Sequence, residues 1–362
     1  MADALGSRVR AFSTAAVQPF ARGAELGRAN AVAVRETLDS YRGLWAVFGV
    51  GAQDVRAVGA AVLTPVRAFA PHLWEEMAGL AAGSGLSLDE VGALNARTEL
   101  LALGGWGPSE CTTSLFLPAD GGSAHTVQTW DWHDAQAGHW FVWSLRHPDG
   151  TAVHTLTEYG IVGKIGVSSR GLSVHFNALR HRDDTGTGGV PVHVVARRIL
   201  DEAGTVEQAV AIAAQAQVTA SSSVTVTGRS GDSWATAMVE LHPGGPTVVT
   251  GAGEYAAHTN HFLGLPEREQ VHRPGTTTHQ RLAHVSAESA ARRPRDRDAM
   301  VRVLADHTLG PRGVCAHVEP ETPPGERTAT LAVAHTEPGR AALSVHAGSA
   351  CDAVEQGAWF TP

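Results

Sequence analysis

A change of hydrophobic period at residue 111 constrains this chain more than any other feature. Up to about Gly105 the apolar residues recur at helical spacing; from Ser114 on they gather in short runs separated by Gly, Pro and Asp. Between the two lies Gly107-Pro108-Ser109-Glu110-Cys111-Thr112-Thr113. Proline fixes φ and lacks an N–H, so Gly-Pro ends the helical region. Cys111 then opens the first strand. It reads either as a nucleophile or as a small hydrophobe buried for packing, as free cysteines commonly are.

Upstream, Arg28 to Trp45 carries apolar residues at Ala31, Val34, Leu38 and Leu44, and Ala60 to Leu80 continues the pattern with breaks at Pro65 and Pro71. Ser87-Leu88-Asp89-Glu90 reads as a serine N-cap followed by acids, starting a helix through Val91, Leu94 and Leu100. Downstream, strands are expected at Ser114 to Leu117, Ala124 to Thr129, His139 to Arg146, Ala152 to Leu156, Gly160 to Gly166 and Gly171 to Asn177. Helices follow at Pro191 to Leu200 and Thr205 to Ala216, then strands at Val224 to Thr227, Trp234 to Leu241 and Thr247 to Thr250. Gln280 to Leu304 reads as helix broken near Pro294, with an arginine-rich solvated face, and Thr328 to Ala334 and Ala341 to Ala347 as a closing strand pair. Antiparallel hairpins covered by helices predict one α+β domain.

With 362 residues, 43% of them hydrophobic and 18% charged, the chain can bury a large core. Its net charge of -8, with both signs intermixed, points away from nucleic acid and anionic membranes as partners. No run is long and apolar enough to span a bilayer and the first residues lack an apolar signal region, so a cytoplasmic protein is expected. Cys111, Cys315 and Cys351, odd in number and widely spaced, make no disulfide framework.

Two further places carry candidate chemistry. In Thr129-Trp130-Asp131-Trp132-His133 a carboxylate lies between tryptophans; if they shield it, it must be hydrogen-bonded. The alternative is a turn aspartate. In His258-Thr259-Asn260-His261 the asparagine amide suits an oxyanion donor, or else a helix cap. His258 and His261 lie three apart, and His133 and His139 flank Asp131, but neither His-Glu-x-x-His nor Cys-x-x-Cys occurs. No metal or cofactor is expected. Gly251-Ala252-Gly253 lacks the spacing of a phosphate loop.

Taken in order, these pieces resemble the acyl-coenzyme A:6-aminopenicillanic acid acyltransferase (isopenicillin N acyltransferase) family, peptidase family C45 of the N-terminal-nucleophile hydrolases. The resemblance rests on Cys111-Thr112-Thr113, Gln128-Thr129-Trp130-Asp131, Gly163-Lys164-Ile165-Gly166 leading to Gly171-Leu172-Ser173-Val174, Asn177-Ala178-Leu179 and His258-Thr259-Asn260-His261. Asp306-His307 and Val314-Cys315 resemble its late elements, and the likeness runs from about Leu86 to Cys351.

The resemblance implies a four-layer αββα fold and a precursor that cuts itself between Glu110 and Cys111. Residues 1–110 would form a helical α-chain or pro-segment and 111–362 the catalytic β-chain, the two staying associated. It makes Cys111 the nucleophile, its freed α-amine (reference pKa about 7.7–8.0) taking the thiol proton. Asp131 orients and polarises it, Asn260 is an oxyanion donor, Asn177 a candidate for a second, backbone-derived donor, and Arg327 a substrate contact. Two residues depart from the family pattern: Glu110 stands where the penicillin enzyme has glycine, and Thr129 replaces the asparagine of the Asn-Trp-Asp form. The implied activity is an amidase or acyltransferase using a Cys111 thioester. Its partner is a small linear amide or acyl-amino compound as acyl donor, an acyl-coenzyme A among the candidates. Two rivals remain. One is the bile-salt hydrolase and penicillin V acylase branch, disfavoured by the long segment before Cys111; the other is a catalytically silent binding protein of the same fold.

Overall fold

Two stacked sheets with helices on their outer faces account for the change of period at residue 111. The computed structural model describes residues 9–104, 111–251, 253–270 and 276–362. After a short strand β1 (Ala11–Ser13) come seven helices: α1 (Pro19–Ala29), α2 (Ala31–Val47), α3 (Ala52–Ala61), α4 (Leu63–Phe69), α5 (Pro71–Ser84), α6 (Leu88–Asn95) and α7 (Arg97–Leu103). The expected continuous helix from Arg28 is divided at Asn30, and Pro71 takes the first position of α5, where its missing N–H costs nothing. α6 starts on the predicted cap: Ser87 Oγ accepts from the Glu90 N–H at 3.3 Å and Glu90 Oε2 from the Ser87 N–H at 2.8 Å. α1 and α5 cross backbone to backbone. A Cβ on Gly79 would stand 2.0 Å from the Phe20 carbonyl oxygen, and one on Gly23 1.9 Å from that of Glu76.

The second part runs β2 (Thr112–Phe116), β3 (His125–His133), β4 (Trp140–Arg146), β5 (Ala152–Glu158), β6 (Ile165–Ser168), β7 (Leu172–Ala178), α8 (Val192–Glu202) and α9 (Val206–Ala213). It continues with β8 (Ser222–Ser230), β9 (Ser233–Leu241), β10 (Thr247–Thr250), β11 (Tyr255–His258), α10 (Thr278–Arg292), α11 (Arg297–Leu304), β12 (Thr328–Glu337), β13 (Ala342–Ala347) and α12 (Ala350–Gln356). One sheet has the order β1-β4-β5-β6-β7-β8-β9-β10, the other β11-β2-β3-β12-β13. All pairs are antiparallel except β1 with β4.

β2, β12 and β13 pack on β7, β6 and β5, so the sheets meet face to face. α8 and α9 cover the larger sheet, while α10, α11 and α12 cover the smaller. These are the four layers, helix–sheet–sheet–helix, that the resemblance implies.

The sequence reading fails in identifiable places. Gly160 to Lys164 is not strand: Gly160 has φ of 97°, and the Asn95 side chain takes the Gly160 carbonyl and the Val162 N–H, each at 3.0 Å. That loop is tied to α6 instead. β3 runs on through Asp131 to His133, which removes the turn reading of that aspartate. The break near Pro294 is real, with Arg293 in the left-handed region and Asp296 capping α11. β1, β11 and α12 are elements the pattern did not reveal. Among the described residues no single helix is long and apolar enough to cross a membrane.

Candidate active site at the start of β2

Cys111 sits immediately before β2, 2% exposed. Glu110 and the peptide bond before the cysteine lie outside the described residues. Register places Thr112 opposite Thr129, so Cys111 comes beside the Trp130–Asp131 stretch of β3. Its thiol donates to the backbone carbonyl of Asp131 at 3.5 Å. Its own carbonyl oxygen is gripped from two sides, by Arg281 Nη1 at 2.8 Å and Asn177 Nδ2 at 3.2 Å. Asn177 is held in turn by Thr113, whose hydroxyl donates to Oδ1 at 2.8 Å. β7 thus reaches across the sheet interface to fix the first residues of β2.

Asn260 follows β11, the neighbour of β2 in the same sheet. Its Oδ1 accepts from Arg281 Nη2 at 3.1 Å, its Nδ2 donates to the Ala178 carbonyl at 3.0 Å, and its N–H donates to Thr278 Oγ1 at 2.8 Å. No helix begins at Asn260, so the capping reading does not apply.

Arg281 therefore links Cys111 and Asn260, and it also donates to Thr112 Oγ1 at 2.8 Å. The sequence reading gave this helix an arginine-rich solvated face and did not single out Arg281, yet Arg281 is wholly buried. The signal was periodicity. Thr278, Arg281, Val285 and Ser289 are the buried residues of α10 and recur every three to four positions, so one arginine stands on the apolar stripe.

Asp131 is buried, and its Oδ1 accepts from the Thr330 hydroxyl at 2.6 Å. Alternation along β3 puts it on the opposite face from Trp130 and Trp132. The tryptophans do not enclose it; they lie under cations. Lys164 Nζ stands 3.5 Å from the centre of the Trp130 ring, and the Arg97 guanidinium 4.0 Å from that of Trp132. Arg327, by contrast, is not gathered with these groups. Its guanidinium donates to the carbonyls of Thr322 and Pro320 at 2.7 and 3.2 Å, bracing its own loop.

A buried ionic cluster borders the cysteine on the inter-sheet side. Glu158 receives Arg97 Nε at 3.0 Å, Lys164 Nζ and the Tyr41 hydroxyl, and Tyr41 accepts from Trp132 Nε1 at 2.8 Å. Burial pushes the Glu158 carboxyl upward, but Arg97 and Lys164 outweigh it and hold it at about 2. Burial likewise drives Lys164, the only lysine in the chain, down to about 7 despite Glu158. Sequence reading quoted Lys164 within a motif but had no means of seeing its partners, which come from α2, α7 and β5.

Residues 119–349 match the family model described as acyl-coenzyme A:6-aminopenicillanic acid acyl-transferase. That span holds Asp131, Asn177, Asn260, Arg281 and Arg327 and begins after Cys111. The acyl-coenzyme A:6-aminopenicillanic-acid-acyltransferase 40 kDa form of Emericella nidulans is 30% identical over 156 residues, 43% of this chain and 43% of that protein. Among solved structures, a Caenorhabditis elegans N-acylethanolamine-hydrolyzing acid amidase ortholog aligns with a TM-score of 0.45 and 15% identity, covering 63% of this chain and 93% of its own. Penicillin V acylase from Agrobacterium tumefaciens aligns with a TM-score of 0.45 and 16% identity, covering 66% of this chain and 83% of its own.

Proposed function

The chain belongs to the acyl-coenzyme A:6-aminopenicillanic acid acyl-transferase family, and from that premise we propose that it is an amidase or acyltransferase working through a Cys111 thioester. The observation that carries this reading is the grip on Cys111. A buried carbonyl is hydrogen-bonded on any residue, but here both donors are side chains, a buried arginine and an asparagine from two other elements, a rigid mounting that suits a nucleophile held in an attacking position. Arg281 and Asn177 hold that carbonyl, and Arg281 passes the constraint to Asn260.

Cleavage between Glu110 and Cys111 frees an α-amine on the nucleophile's own residue. The amine takes the thiol proton, and Sγ attacks the carbonyl carbon of a small linear amide. Asn260 donates an N–H to the oxygen that becomes negative. Collapse breaks the C–N bond, the departing amine leaves with the proton, and the acyl group remains on sulfur. Water or a second amine then takes the acyl group. Asp131 keeps the amine and thiol in register from the neighbouring strand. Residues 1–110 stay docked after the cut.

Intact mass spectrometry tests this. The expected masses are those of 1–110 and 111–362 from the wild type, a single chain from Cys111→Ala, and an acyl adduct on the larger fragment during turnover of an acyl-amide panel. An uncut wild-type chain that hydrolyses the panel without any adduct would refute it.

A further inference from the structure

Three side chains of the loop after α11, His307, Cys315 and His317, converge with Cys351 of α12 behind the active-site carboxylate. One ligand atom from each, two ring nitrogens and two Sγ, lies within 4.8 Å of all the others. His317 Nε2 stands at the centre, 3.0 Å from His307 Nε2, 3.4 Å from Cys315 Sγ and 3.6 Å from Cys351 Sγ.

A ring nitrogen has a single in-plane direction, holding either one hydrogen or one lone pair. It can satisfy one of three such neighbours by hydrogen bonding, not all three. A cation between them satisfies every one. With Zn–N of about 2.0–2.1 Å and Zn–S of about 2.3 Å, a tetrahedron has N···N edges of about 3.3 Å and S···N edges of about 3.6 Å. The observed separations fall near these edges with no ion placed between them.

We propose that His307, Cys315, His317 and Cys351 form a Cys2His2 centre that binds Zn(II). Two thiolates and two imidazoles are a soft, four-coordinate donor set, suited to zinc rather than to calcium or magnesium. Four protein ligands close the tetrahedron and leave no position for substrate, so the centre is structural. Cys315 is buried and His307 exposed, which seats the ion at the protein surface with a path of entry. Sulfur also has a supporting donor: Ser349 Oγ lies 3.1 Å from Cys351 Sγ.

The centre fastens the loop after α11 to the first turn of α12. Its reach extends further, because the Ala316 N–H donates to Thr330 Oγ1 at 3.2 Å and that hydroxyl donates to Asp131. Zinc therefore holds the peptide that holds Thr330, which in turn positions the carboxylate. This revises the expectation that the chain carries no metal. That expectation searched for short ligand spacings, and here Cys351 lies 34 residues from His317.

The test is metal content and coordination of the full chain, with readouts independent of the thioester reading. Protein grown with Zn(II) and dialysed against metal-free buffer is expected to retain about one zinc per chain, as a closed four-ligand site does. Replacement by Co(II) should give the intense visible bands of tetrahedral thiolate coordination. Cys315→Ser should abolish both signals. His307→Ala changes only an exposed side chain and keeps the fold. It should weaken zinc retention in chelator competition by more than the roughly 10–100-fold typical of outer-shell changes. Chelation should lower Tm, and Zn(II) but not Mg(II) should restore it. A zinc-free protein with octahedral Co(II) bands, or a Cys315–Cys351 disulfide in the purified chain, would overturn the proposal.

Discussion

Replacing Arg281 by methionine tests the clamp on Cys111 most directly. The substitution keeps much of the buried stem but deletes the guanidinium's hydrogen bonds, among them those to Cys111 O and Thr112 Oγ1 at 2.8 Å each and to Asn260 Oδ1 and Thr277 Oγ1 at 3.1 Å each. The two hydroxyls can turn to other partners, and Cys111 O keeps Asn177. Asn260 Oδ1 loses a charged donor. Leaving one buried acceptor short costs about 1–3 kcal/mol, and weakening a second adds to it. Removing the buried charge returns part of its desolvation cost, so the net loss is about 2–4 kcal/mol. A shift of about 1 Å in a reacting group is enough to cost roughly a hundredfold in rate. Arg281→Met should therefore lower kcat by about that factor with KM nearly unchanged, and Arg281→Lys, a point charge that reaches fewer acceptors, should fall between. Urea unfolding, steady-state kinetics on a chromogenic acyl anilide and the alkylation rate of Cys111 measure the three quantities. A stable or unstable variant with undiminished kcat would refute the clamp, and a raised KM at constant kcat would make Arg281 a substrate contact instead.

Asp131→Asn should fold, since an amide oxygen still accepts from Thr330, and should lose about 10²–10⁴ in turnover; activity within a few-fold of wild type would make the residue structural. Glu158 predicts an acid limit. Its carboxyl is held at about 2 in the fold against 4.5 as the ordinary value. A depressed acid contributes fully above its unfolded value, so about 3 kcal/mol is lost as pH falls from 4.5 toward 2. Urea midpoints through that range should drop steeply in the wild type and flatten in Glu158→Gln; equal slopes would show that other carboxylates govern acid unfolding.

What the sequence disclosed was local. The Ser87–Glu90 capping box and the hairpin turns rest on neighbours within a few residues, and periodicity exposes them; the expected arrest at Gly107-Pro108 lies outside the described residues. Cys111, Asp131 and Asn260 stood out because their flanking residues form an ordered motif set. Arg281 escaped because a charged residue on a helix is ordinarily solvated, and only the stripe it shares with Val285 and Ser289 argues otherwise. Lys164 and Glu158 are six residues apart, but Tyr41 and Arg97 join them only through packing. The convergence of His307, Cys315, His317 and Cys351 depends likewise on where β12, β13 and α12 return the chain. Gly160 to Lys164 misled because a glycine-spaced apolar run suits a strand and a tethered loop equally.

Strand β1 is the outermost strand of the larger sheet, paired in parallel with β4 on the far side of residue 111. Buried contacts cross the same divide, Arg97 to Glu158 at 3.0 Å and Glu76 to Arg197 at 2.7 Å, as does the half-buried His72 to Asp201 at 3.1 Å. While the chain is continuous these contacts form by a unimolecular search. Cut at residue 111, the same contacts join two polypeptides, and recovery from denaturant becomes a second-order reaction whose yield rises with protein concentration. An intact Cys111→Ala chain would refold at a rate independent of concentration. For the proposed cleavage, the strand that closes the sheet edge thus sets an order: fold first, cut afterwards.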